Sequence, residues 1–144
     1  MKKIIFFSYD GIHDPLGQSQ IIPYLTFLSK QGYKFIVISF EKTIKETNNK
    51  NKNKEKFLIL KFYKGPFGKL LNLINGIYTI RNEININRPD LIHLRGFIPA
   101  FIFFLSNKNL KYLYDFRSFA VGEHVDTKNI KKNSILHNLF LKVD

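Results

Sequence analysis

Three short stretches of the chain carry residues that could do chemistry. The first holds Asp10, His13, Asp14 and Gly17, and runs on into Gln18, Ser19 and Gln20. The second is His93-Leu94-Arg95-Gly96, and the third is Asp115-Phe116-Arg117 followed by Glu123, His124 and Asp126. Anion binding is the chemistry these types suit. Gly17 ahead of a helix could hold a phosphate on free backbone N–H groups, and Arg95 and Arg117 could grip one through two donors each. Each residue also has a plainer reading. Asp10-Gly11 and Asp14-Pro15 are ordinary turn formers, Gly17 lacks the fuller G-x-G-x-x-G setting, and His93 could be a packed, hydrogen-bonded histidine. Arg95 and Arg117 could simply pair with Asp115, Glu123 or Asp126. Several other chemistries find no motif. The sequence has no G-x-x-x-x-G-K-S/T loop, no H-E-x-x-H pair and no G-x-S-x-G elbow. Its 4 His and scattered carboxylates form no spaced metal set.

These stretches need a scaffold, and the bulk properties allow one. At 144 residues, with 44% hydrophobic and 15% aromatic content, the chain suits one globular domain with a single core. Cysteine is absent, which removes disulfides and thiolate-bound zinc and fits a cytoplasmic protein. Met1-Lys2-Lys3 has the charge of a signal peptide, but Ser8, Tyr9 and Asp10 cut its apolar run short. The later run from Phe97 to Leu105 falls far below the ~20 residues that span a bilayer. The net charge of +12 favours anionic partners. Heavy use of Lys, Asn and Ile, as in an AT-rich genome, offers a second source for that charge.

The elements follow from periodicity. Ile4 to Ser8 reads as a strand buried on both faces, and Tyr9 to Gly17 as a loop. A helix follows from about Ser19 to Lys30, with Pro23 confined to its first turn and Gly32 as its stop. Lys34 to Phe40 is a second strand, residues 41–56 a polar surface loop, and Phe57 to Tyr63 a third strand. Lys64-Gly65-Pro66 reads as a turn. A helix from Leu70 to about Asn87 places Leu70, Leu71, Ile74, Ile77, Tyr78 and Ile84 on or near one face. Asp90 to Leu94 is a fourth strand, Pro99 to Leu105 a short helix, Lys111 to Phe116 a fifth strand and Ser134 to Lys142 a last helix. Strands alternating with helices, except between strands two and three where only the polar loop intervenes, imply right-handed crossovers and an α/β, Rossmann-like, doubly wound parallel sheet of order 3-2-1-4-5. In such a sheet ligands collect beyond the carboxyl ends of strands one and four, where all three polar stretches would converge.

Together these segments resemble a known family. Asp10 to Tyr24 (DGIHDPLGQSQIIPY) closely resembles the D-G-x-x-D-P-L-G-x-S-Q-x-x-P-Y opening of family-4-like glycosyltransferases. Asp90 to Ala100 (DLIHLRGFIPA) and Tyr114 to Asp126 (YDFRSFAVGEHVD) resemble the family's later segments more loosely. The resemblance implies a GT-B enzyme with two Rossmann-like domains and a cleft between them. Such an enzyme transfers a sugar from a nucleotide-sugar donor to a hydroxyl, with retention, and needs no metal or other cofactor. Residues 1–144 correspond to the amino-terminal, acceptor-side domain, and are expected to be incomplete. The carboxy-terminal donor-binding domain is expected to lie outside these residues, and the chain alone is expected to be inactive. Many relatives carry a histidine after strand four or five. Here Arg117 stands within Asp-Phe-Arg and Ser118 where Gly is frequent, so no catalytic residue is carried over.

The resemblance implies that the first loop, Asp14 to Gln20, faces the cleft; with the rim residues, the set expected to bind acceptor or phosphate is Asp14, Gly17, Gln18, Ser19, His93, Arg95, Arg117 and Glu123. The resemblance also implies a nucleotide-sugar donor, a glycan or lipid-linked acceptor, and a role in cell-surface polysaccharide synthesis. The location expected is cytoplasmic, with peripheral contact at the inner face of the membrane and no specific nucleic acid. The alternative is a stand-alone basic α/β module binding nucleic acid or an anionic membrane surface with salt-dependent affinity.

Overall fold

A computed structural model describes residues 2–42, 56–106 and 108–116 of the chain. The sequence readings at 43–55, Arg117, Ser118, Glu123, His124, Asp126 and the helix from Ser134 to Lys142 lie outside the described residues. Among the described residues the sheet has five strands: β1 (Lys3–Ser8), β2 (Lys34–Glu41), β3 (Lys56–Lys61), β4 (Leu91–Arg95) and β5 (Tyr112–Asp115). All neighbours pair in parallel in the order β3-β2-β1-β4-β5, and this includes β2 and β3, whose connection reads in the sequence as a polar loop and not a helix.

The strands' twofold alternation feeds two apolar layers. Ile4 and Phe6 of β1 meet Phe35 and Val37 of β2 and Leu25 of α1 (Ile22–Lys30) on one side. Ile5 and Phe7 face the other side, with Ile80 of α2 (Gly65–Asn87) and Ile102 and Phe103 of α3 (Phe97–Leu105). Both layers are dry: Phe6, Phe7, Ile5 and Ile38 are each 0% exposed.

Several boundaries differ from the sequence reading, each for a local reason. The first helical segment opens with a π-helical turn over Gly17–Ile21, closed by Ile22 N–H donating to Gly17 O. Pro23 lacks an N–H and its ring crowds the preceding turn, so a wider turn upstream accommodates it. Strand β3 stops at Lys61 instead of Tyr63. Phe62 N–H makes the last ladder bond, to Glu41 O at 2.9 Å. The Asn72 amide then takes both backbone groups of Tyr63, at 3.0 Å each.

Helix α2 begins at Gly65 and not Leu70. Gly65 takes a φ of 82° and Pro66 sits in the first turn, where its missing N–H leaves no helical bond unmade. The helix also turns a different side to the sheet. Gly68, Asn72, Gly76, Ile80, Glu83 and Ile84 are buried, while Leu70, Leu71, Ile74 and Tyr78 are exposed. Small residues allow the close approach: a Cβ at Gly76 would lie 2.9 Å from Ile102 Cδ1. Buried Asn72 is satisfied by Tyr63 and by Tyr9 Oη at 3.0 Å. Among the described residues, no helix is long and apolar enough to cross a membrane.

Candidate functional site

Parallel pairing brings the ends of three strands to one edge. Ser8 pairs with Arg95 and with Ser39, and Arg95 pairs with Asp115. The loop leaving β1, the end of β4 and the end of β5 therefore share one rim.

The β1 loop is held mainly from below. Glu41, the last residue of β2 and 2% exposed, accepts hydrogen bonds at Oε1 from Ile12 N–H (2.6 Å), His13 N–H (3.4 Å) and Ser39 Oγ–H (3.2 Å). Its carboxylate passes so close under Gly11 that a Cβ there would collide with Glu41 Oε2. Gln18 Nε2 donates to Ile12 O at 2.7 Å, and Gln18 N–H to Asp14 O at 3.0 Å. Gly17 is pressed against the same turn. A Cβ on it would meet Gly11 O, and would lie 2.6 Å from Ile12 Cα. Gly17 and Gln18 thus shape the loop. The Ser19 hydroxyl bonds back to Leu16 O at 3.4 Å. Asp14 stands at the surface, 3.7 Å from Lys42 Nζ.

The β4 side is a connected polar cluster. Arg95 Nη1 donates to Asp115 Oδ2 at 3.0 Å, and Nη2 to Gln20 Oε1 at 2.8 Å. Of the two readings open for Arg95, the structure shows the ion pair. His93 is 6% exposed, its ring edge against Phe6 with centroids 4.8 Å apart. Its Nδ1 lies 3.4 Å from Tyr24 Oη and its Nε2 is 3.8 Å from Asp115 Oδ2. Burial lowers the His93 pKa below the ordinary histidine value, against an upward pull from Asp115; Arg95 adds to the lowering. Burial also raises the Tyr24 pKa. The imidazole is thus neutral at pH 7, able to donate from one nitrogen and accept at the other. Three buried nitrogens, His13 Nε2, His93 Nε2 and Arg95 Nε, have no hydrogen-bond partner among the described residues.

The structure therefore brings Gly17, Gln18, Ser19, His93 and Arg95 to one rim, with Asp14 at its exposed border. Arg117 and Glu123 lie outside the described residues. Sequence reasoning did not select Glu41, which it assigned to the polar loop, or Tyr24, which it took as part of a helix. An acid closing the apolar strand Lys34–Glu41 (KFIVISFE) was the one available signal for Glu41. Among the described residues, no group of three His, Asp or Glu could hold a metal ion.

No protein-family profile matches the chain, and no curated protein sequence does. Solved structures do match in fold. A glycosyltransferase from Rickettsia africae ESF-5 superposes with a TM-score of 0.56 at 18% identity, covering 88% of this chain and 34% of that one. A sucrose-phosphate synthase from Thermosynechococcus elongatus superposes with a TM-score of 0.70 at 13% identity, covering 99% of this chain and 40% of that one. The chain thus spans well under half the length of either structure and shares its glycosyltransferase-like, Rossmann-like α/β fold with part of each.

Proposed function

We propose that this chain is the amino-terminal, acceptor-side domain of a retaining GT-B glycosyltransferase that moves a sugar from a nucleotide-sugar donor to a hydroxyl acceptor. The observation that supports it most is the Gln20–Arg95–Asp115 chain of contacts at 2.8 Å and 3.0 Å. It joins three segments distant in sequence at the edge where sheets of this order bind ligands. In this reading the β1 loop, braced by Glu41, Gly17 and Gln18, forms one wall. Asp14 and Ser19 orient an acceptor hydroxyl. Neutral His93 supplies a hydrogen bond, and Arg95, paired with Asp115 and bonded to Gln20, holds the ends of β4 and β5 against the β1 loop. Arg117 and Glu123 complete the phosphate or acceptor side. The acceptor is a glycan or lipid-linked saccharide of a cell-surface polysaccharide, reached from the cytoplasmic face through peripheral membrane contact. In this reading donor binding and turnover need a second, donor-binding domain together with residues 1–144.

The test is an amide-resolved NMR titration of the chain with oligosaccharide acceptors and with nucleotide-sugars. Saccharides are expected to shift the amides of Gly11 to Gln20 and Leu94 to Gly96. Shifts confined to other surfaces would remove the assigned site. Tight, salt-dependent binding of DNA or RNA in the same conditions would favour a basic nucleic-acid module instead.

A further inference from the structure

Helix α2 leaves an apolar stripe uncovered. Phe67, Leu70, Leu71, Ile74 and Tyr78 recur at helical spacing and are 84%, 53%, 46%, 53% and 72% exposed. The opposite side of the helix is the one packed on the sheet. Beyond Tyr78 the positions that continue the stripe become polar, Arg81, Asn82 and Asn85, while Ile86, 64% exposed, lies to one side of it. The stripe therefore covers only the first part of the helix, which starts where the chain leaves the carboxyl end of β3, the same edge as the Arg95 cluster.

Charge around the stripe has one sign. No Asp or Glu stands between Glu55 and Glu83, whereas Lys61, Lys64, Lys69 and Arg81 do, and Lys56 is taken up in pairing Glu83. Glu83 is 4% exposed and bonded to Lys56 Nζ at 3.0 Å, so it offers no external negative charge. A contiguous exposed apolar face of this length marks an interaction surface. Two copies of the chain meeting through it would set cations against cations, while an anionic bilayer accepts the apolar side chains and the flanking cations together.

We propose that the amino-terminal part of α2 is a docking face for an anionic phospholipid bilayer, with the stripe entering the headgroup region and Lys64 and Lys69 pairing with lipid phosphates. It would hold the Arg95 rim next to the membrane surface. The proposal rests on the peripheral-membrane part of the functional reading and not on sugar transfer.

Vesicle flotation of the full 144-residue chain tests it. The chain is expected to float with phosphatidylcholine vesicles containing phosphatidylglycerol and to stay behind with phosphatidylcholine alone. Ile74→Glu with Tyr78→Glu should lower partitioning roughly tenfold or more. Lys30→Gln with Lys34→Gln makes the same change in net charge at exposed positions outside α2, and should alter it by less than about twofold, because surface attraction fades within a Debye length. Circular dichroism checks that both pairs fold. Absence of flotation on acidic vesicles, or equal loss in both variants, overturns the proposal. So does a dimer in sedimentation that the α2 variant disperses, since a second copy would then own the stripe. The saccharide titration reads the transferase site independently, so either reading can fail alone.

Discussion

Burying a carboxylate costs free energy unless hydrogen bonds replace its water, and Glu41 meets that condition by accepting from Ile12, His13 and Ser39. The converse holds for the loop, whose Ile12 and His13 amides both turn to this acceptor. Glu41→Ala should destabilise the fold by about 1–3 kcal/mol, because it strands the Ile12 N–H in a buried place. Glu41→Gln keeps an acceptor and should cost less, about 1 kcal/mol; urea unfolding of the two variants measures the difference. His93 makes a second residue-scale prediction. Its folded pKa lies below that of the unfolded chain, so the unfolded state binds more protons at mildly acidic pH. The neutral, folded histidine's contribution is complete above about pH 6.5 and declines as pH falls from there toward the folded pKa. Stability measured across that window should fall with pH, and His93→Gln should remove that part of the slope. An unchanged slope would mean that His93 is not held neutral by burial.

Helix α2 shows how an element can be legible in kind and illegible in orientation. Its helical character was plain from periodicity, yet of Leu70, Leu71, Ile74, Ile77, Tyr78 and Ile84, which apolar spacing places on or near one face, only Ile77 and Ile84 pack against the core. Hydrophobic pattern measures which side chains could be buried. It does not weigh the closer approach allowed by Gly68 and Gly76, or a buried Asn72 whose amide is fully used. The helix ends on Arg88 at φ 47° and ψ 65°, the left-handed region where a Cβ is strained and glycine is the usual occupant. Arg88→Gly should therefore raise stability by about 1 kcal/mol, read as a higher midpoint of thermal unfolding. A lower midpoint would show that the Arg88 side chain contributes more than its backbone costs.

For the molecule as a whole, the number, order and direction of the strands were set by the sequence alone. Apolar runs alternating with helical patterns, joined by crossovers of one hand, leave few arrangements open, and parallel pairing then carries the three polar stretches to one edge. What those side chains do to each other only the tertiary structure decided. Glu41 is 29 positions from Ile12, and Gln20 is 75 from Arg95. Local pattern contains no information about partners so far apart. Whether Arg95 stands free for a phosphate or is neutralised by Asp115 depends on register across two strands, and whether α2 shows apolar residues to the core or to the outside depends on fit against the sheet. Both are properties of packed surfaces, where distance and volume, rather than residue order, determine which contacts form.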